Sequence, residues 1–127
     1  MKGVRLFVRA AEPEDAPRMA SFWKAEGRAP VTGSSALIGF LLGDVAAWLS
    51  FDREGDDLLI RDLWVAQNLR RKRVARALLS ELDGEALRIG AGRLVIRPDN
   101  EFIEAFRRLG FSDASEGVLV RSVERAR

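Results

Sequence analysis

At Val74 the spacing of apolar residues changes from that of three successive strands to that of a long helix, and the order of the two patterns limits the folds available. Residues 36–42 and 45–51 read as two strands around Gly43-Asp44, a two-residue hairpin turn, and residues 52–56, charged and holding Gly55, turn the chain into a third strand at 57–65. From Val74 the period becomes helical, with Ala75, Leu78, Leu79, Leu82, Ala86 and Ile89 on one face and Gly90 and Gly92 as stops; Gly84 is a place for a bend. Three antiparallel strands in series therefore precede a helical crossover. The expected product is a mixed α/β (α+β) domain, with a mostly antiparallel central sheet of about six strands and helices on both faces.

The flanking segments fit that plan. Residues 1–9 alternate Val4, Leu6 and Val8 with Arg5, Phe7 and Arg9, as a strand does and a secretion signal does not, so the cytoplasm is the expected compartment. Pro13, Glu14 and Asp15 open a helix carrying Met19, Phe22 and Trp23 at helical spacing, and Gly27 is its stop. A short strand at 93–97 and a second short helix with Phe102, Ile103 and Phe106 inward, stopped by Gly110, lead to a last strand or two at Phe111 and 118–123. The length of 127 residues suits one domain over 1–127, and no repeat, linker or apolar run of the roughly 18 residues needed for a membrane span is present.

Absences narrow the chemistry. With no Cys there is no disulfide, thiolate nucleophile or cysteine zinc site, and with no His there is neither a Ser-His-Asp triad nor imidazole metal ligation, so no metal is expected. Ser34, Ser35 and Ser50 have no His to activate them, which disfavours a covalent intermediate. The formal charge is only +2, so overall charge gives no argument for nucleic acid. Any catalysis must use carboxylates, backbone dipoles and water.

The segment Asn68, Leu69, Arg70, Arg71, Lys72, Arg73, Val74, Ala75 and Arg76 lies between a strand and a helix start. A helix N-terminus carries unpaired N–H groups and a positive partial charge and prefers acids, so five basic residues there suit a multiply charged anion such as a pyrophosphate. A solvated basic face or a nucleic-acid patch is the alternative, the latter disfavoured because no aromatic residues interleave with the arginines.

At this point the sequence resembles the GNAT superfamily of N-acetyltransferases. Its signature has the form D-L-Y-V, a spacer, then R-G-x-G-x-G/A-x-A-L-L; here stand Asp62, Leu63, Trp64 and Val65, then residues 70–79. Arg97, Pro98, Asp99 and Asn100, followed by residues 106–111 ending in Gly110-Phe111, look like the second signature, an Asn followed by Y-x-x-x-G-F. The order of elements matches over residues 4–123.

The resemblance implies acetyl-CoA as co-substrate, its pyrophosphate on the backbone amides of Arg70, Arg71, Lys72, Arg73, Val74 and Ala75 with Arg76 beside them, and its pantetheine arm along Trp64 and Val65. Asn100 would reach the pantetheine region or simply cap a helix; Trp64 is a cofactor wall or core. Asp62 is the candidate base: it aligns with an acidic position near the family's site and is expected to share its strand face with Ile60 and Trp64, an apolar setting that suits a proton acceptor. Pairing with one of the 18 arginines is its other reading. Two positions depart from the pattern. Arg73 stands where the phosphate loop has glycine, and Phe106 stands where a tyrosine commonly protonates the leaving thiolate, in a chain with no Tyr.

The implied activity is transfer of acetyl from acetyl-CoA to a primary amine by direct attack in a ternary complex; the alternative is an acyl-CoA-binding protein with little or no turnover. The acceptor would be a small-molecule or peptide amine in a shallow, open site, and the protein a monomer or homodimer with no membrane partner.

Overall fold

The computed structural model describes residues 6–29, 35–70 and 73–125. Strand β1 (Leu6–Ala10) is followed by a 3-10 turn at Pro13–Asp15 and helix α1 (Ala16–Glu26), then β2 (Ser35–Leu41), β3 (Asp44–Glu54) and β4 (Asp57–Val65). Helix α2 (Val74–Ile89), β5 (Arg93–Ile96), α3 (Ile103–Arg108), β6 (Ser112–Ser115) and β7 (Val118–Ser122) complete the order. One sheet runs β1-β2-β3-β4-β5-β7-β6, with β4–β5 its parallel pair and the other pairs antiparallel.

Seven strands stand among the described residues where about six were expected. The strand hardest to foresee is β6, because all four of its residues are exposed and it has no apolar alternation to betray it. The first hairpin also turns one residue earlier than Gly43-Asp44. Leu42 and Gly43 both have positive φ, 53° and 89°, which is the backbone of a tight hairpin turn whose twist matches its strands, and Leu42 is 85% exposed there. Helix α2 runs through Gly84 without a break.

Helices cover both faces. On one, Met19, Phe22 and Trp23 of α1 pack on Ile38, Phe40 and Ala66. On the other, Leu78, Leu79, Leu82 and Ala86 of α2 bury against Leu37, Leu49, Leu58, Ile60 and Leu94. Each helix ends where glycine allows: Gly27 (φ 72°) closes α1, with Arg28 N–H donating to the Trp23 carbonyl at 3.2 Å, and Gly90 (φ 82°) closes α2. A buried ion pair, Arg121 to Asp83 at 3.0 Å, fastens β7 to α2; burial raises the Asp83 carboxyl above its ordinary range, against the pull of the guanidinium. No helix among the described residues is long and apolar enough to cross a membrane.

The entry to α1 is held electrostatically. Arg9 on β1 donates two bonds to the Asp15 carboxylate, at 2.7 and 2.8 Å, and the Glu12 N–H adds a third at 2.8 Å. The Arg9 bond, then the Glu12 bond, hold Asp15 down from 3.8 to about 2. Because the folded value is depressed, this contribution to stability is complete above the unfolded value and disappears as pH falls from about 4 toward 2. Urea unfolding of Asp15→Asn between pH 6 and 2 is expected to give a lower midpoint than the parent at pH 6 and a gap that closes as pH approaches 2.

Two residues other than glycine have left-handed backbone, Leu42 and Arg73 (φ 60°), among those described. A side chain there costs roughly 1–2 kcal/mol, and glycine gives back roughly 0.5–1 kcal/mol in chain entropy. Leu42→Gly and Arg73→Gly are each expected to raise stability by about 0.5–1 kcal/mol, read as a higher urea midpoint at unchanged slope. A fall in either midpoint would mean that the side chain contributes more than its backbone costs.

Candidate active site

A one-residue bulge on β4 creates the site. Phe51 of β3 opposes Ile60, and Ser50 opposes Asp62, leaving Arg61 as the extra residue. The bulge reverses the alternation of side chains. Ile60 and Val65 join the core under α2, whereas Trp64 packs with the core under α1. The expectation that Asp62 shares a face with Ile60 is therefore corrected, while its grouping with Trp64 stands.

Parallel pairing with β5 also stops at the bulge, Ile60 with Ile96 being the last pair. Beyond it β4 runs on to Val65 with no strand partner on that side among the described residues. A groove of about 440 Å³ opens beside this part of β4, walled by Leu63, Trp64 and Val65, by the N-terminus of α2 and by Phe102, Ala105, Phe106 and Leu109 around α3.

The two ends of this groove differ in character. At one, the first backbone bond of α2 runs from Ala77 N–H to the Arg73 carbonyl, so the amides of Val74, Ala75 and Arg76 have no partner within the helix. No acid occupies the first turn, and Arg73, Arg76 and Arg108 line the rim. Arg73, just before α2, has the left-handed backbone that glycine adopts readily. At the other end Leu63, Trp64, Phe102 and Phe106 make an apolar wall, with Trp64 edge-on to Phe102 at 6.3 Å and Phe106 edge-on to Phe111 at 5.5 Å. A ligand with an anionic head and a slender apolar end fits such a groove.

Of the residues expected at the cofactor, Trp64, Val65, Arg70, Arg73, Val74, Ala75, Arg76 and Phe106 line this groove. Arg70 folds back across it: its Nε donates to the Val65 carbonyl at 3.1 Å, and its guanidinium lies 4.3 Å from the Trp64 ring centre. Asn100 is exposed, stands in the 3-10 turn Asn100–Phe102, and is not among the lining residues. Arg71 and Lys72 lie outside the described residues.

Asp62 is buried, 8% exposed, and both its oxygens accept from Arg28 Nη2, at 3.2 and 3.3 Å. The Arg28 guanidinium also lies 4.1 Å from the Trp64 ring centre. Beside it, Glu26 accepts from Trp64 Nε1 at 3.0 Å and from Gln67 N–H at 3.1 Å, tying the end of α1 to the end of β4. Nothing in the sequence singles out Arg28 or Glu26, which stand 34 residues from Asp62 and 38 from Trp64; Gly27, the helix stop between them, is the local signal that the chain turns here. Phe102, Ala105 and Leu109 were likewise not foreseen at the groove.

Comparison with known proteins agrees with this fold. No curated protein matches the sequence. The ribosomal-protein-S18-alanine N-acetyltransferase of Escherichia coli superimposes with a TM-score of 0.75 at 19% identity, covering 96% of each chain. N-acetylglutamate synthase from Neisseria gonorrhoeae, solved with coenzyme A and N-acetyl-glutamate, gives 0.78 at 21% identity over 98% of this chain and 36% of that one. A GNAT family acetyltransferase from Brucella melitensis, in complex with acetyl-CoA, gives 0.67 at 15% identity over 97% of this chain and 91% of that one. At these identities the likeness is one of fold. The model of the Acetyltransferase (GNAT) family matches residues 5–111, and the chain belongs to that family.

Proposed function

We propose that residues 1–127 act as one acetyltransferase domain that moves the acetyl group of acetyl-CoA to a primary amine by direct attack in a ternary complex. The observation that carries this reading is the groove at the end of β4, rimmed by arginines at the α2 N-terminus and apolar at Trp64 and Phe106, in a chain of the GNAT family. Acetyl-CoA supplies an acetyl thioester, whose carbonyl carbon takes the amine as its thiolate departs. The amides of Val74, Ala75 and Arg76, with Arg73, Arg76 and Arg108, hold the pyrophosphate. The β4 edge aligns the arm, and a backbone N–H near the bulge stabilises negative charge on the carbonyl oxygen. Asp62, behind the Trp64 ring, takes the proton that the amine must lose, directly or through water. Acceptors are small-molecule or peptide amines.

Reversing one charge at the rim tests the cofactor assignment. Arg76→Glu is expected to weaken acetyl-CoA binding by about tenfold or more in calorimetry, since a charge-assisted bond to phosphate is worth roughly 1.5–3 kcal/mol. Unchanged affinity would remove the phosphates from this helix terminus.

Phe106 offers no proton to the thiolate. A thiolate leaves tolerably well without one, and a positioned general acid contributes about 100- to 10,000-fold, so turnover is expected to be slow but measurable. Phe106→Tyr adds a hydroxyl to a ring that already lines the groove. Steady-state release of CoA should rise severalfold or more with little change in acetyl-CoA affinity. Loss of turnover in the mutant would mean that the ring acts in packing and that the missing acid belongs elsewhere.

A second reading has its own observation. Arg70 occupies the Val65 carbonyl, which faces the groove, and no tyrosine is available, as expected of a protein that holds acyl-CoA without efficient turnover. Tight calorimetric binding with no CoA release across a panel of amines would favour it.

A further inference from the structure

The three tryptophans of the sequence come from distant positions and meet on the α1 face. Trp23 of α1 is edge-on to Trp48 of β3 at 6.0 Å, and Trp48 opposes Trp64 in the β3–β4 ladder. Arg28 lies in this aromatic surround, 4.1 Å from the Trp64 ring centre and 5.8 Å from that of Trp23, with its Nη2 on the Asp62 carboxylate. Ring faces together with a carboxylate hold guanidinium and ammonium groups alike; nothing in these contacts demands arginine.

Arg28 is also placed to leave. Its backbone is fixed at the end of α1, where its N–H caps the Trp23 carbonyl at 3.2 Å, while its side chain is 27% exposed. Rotation of that side chain into solvent empties the surround without moving the helix. Trp64 is shared with the groove, so a cation seated behind this ring stands next to the apolar end where the thioester is proposed to lie.

On the transferase reading, we infer that Arg28 is a stand-in for the acceptor: the surround of Trp23, Trp64 and Asp62 is a cation subsite, and the preferred acceptors are amines carrying a second cationic group. That second group displaces Arg28 and anchors the molecule while its neutral amine reaches past Trp64 to the thioester. The competing role for Arg28 is to stay and receive an acceptor's carboxylate, and the two roles predict opposite effects of removing it. If Arg28 fills the subsite about nine-tenths of the time, its removal tightens a cationic acceptor about tenfold.

The test compares 1,4-diaminobutane, butylamine and 4-aminobutyrate as acceptors for the parent, Arg28→Ala and Arg28→Gln, by steady-state CoA release. It is accompanied by titration of tryptophan fluorescence with 1,4-diaminobutane in the absence of acetyl-CoA. The parent is expected to prefer the diamine over butylamine by about tenfold in kcat/KM. Both variants should lower KM for the diamine by about tenfold and show the fluorescence change at correspondingly lower diamine concentration. A higher KM for the diamine in both variants, or loss of 4-aminobutyrate as a substrate, would overturn the inference and make Arg28 an anion-recognition residue. Turnover of butylamine with no fluorescence response to the diamine would refute the cation subsite and leave the transferase reading standing. A fluorescence response strengthened in both variants, without CoA release from any amine, would support the subsite and refute the transferase reading instead.

Discussion

The site depends on the extra residue in β4. Without Arg61 as a bulge, the strand's alternation would continue through Ile60, and Asp62 and Trp64 would point under α2 into a packed apolar core, where a carboxylate has no partner. With the bulge they emerge on the α1 face beside Arg28. The parallel ladder with β5 ends at the same point, where β5 itself stops at Ile96, and β4 runs on alone on that side as far as Val65. The backbone irregularity thus turns the side chains, and the shortness of β5 leaves the C-terminal end of β4 uncovered, which explains why the groove lies there and not along the strand's length.

Electrostatics then decide which part of a ligand goes where. The N-terminus of α2 gathers unpaired amides, the positive end of the helix dipole and a rim of arginines, and nothing acidic in its first turn relieves them. Such a terminus repels its own side chains. The Arg70 side chain withdraws from it, lying over Trp64 and bonding to the Val65 carbonyl. In the proposed complex a pyrophosphate supplies the charge this terminus lacks, and an amide of the cofactor arm can take over the β4 edge that Arg70 now contacts.

Much of this was legible in the sequence wherever one residue type has one physical job. The change from strand to helix period at Val74, the glycine stops at Gly27, Gly90 and Gly110, and the crowding of arginines at the start of α2 place the helices, the crossover and the basic rim of the groove. The parts that were not legible depend on pairing across distance. A bulge is a mismatch between two strands, so neither β3 nor β4 alone marks Arg61 as the extra residue. Strand β6 carries Ser112, Asp113, Ala114 and Ser115, all exposed, and exists through its ladder with β7. Arg28 was one arginine among 18, and only the fold brings it onto Asp62.

Trp64 joins the two halves of the site. Its ring borders the groove, meets the guanidinium of Arg70 at 4.3 Å and that of Arg28 at 4.1 Å, and has its Nε1 fixed by Glu26. Each of these two arginines holds a place that the proposed reaction assigns to a substrate, Arg70 the edge of the cofactor arm and Arg28 the cation of the acceptor. A protein with both arginines in place keeps its cleft satisfied: the Val65 carbonyl is bonded, Asp62 is paired and the ring face is covered. Binding therefore exchanges one set of contacts for another of the same chemical kind, so much of the gross contact energy cancels. What remains to favour the complex is the phosphate contact at α2, where the protein has no stand-in of its own among the described residues. On this argument, affinity for the cofactor rests mainly on its nucleotide end, while the thioester end contributes position more than binding.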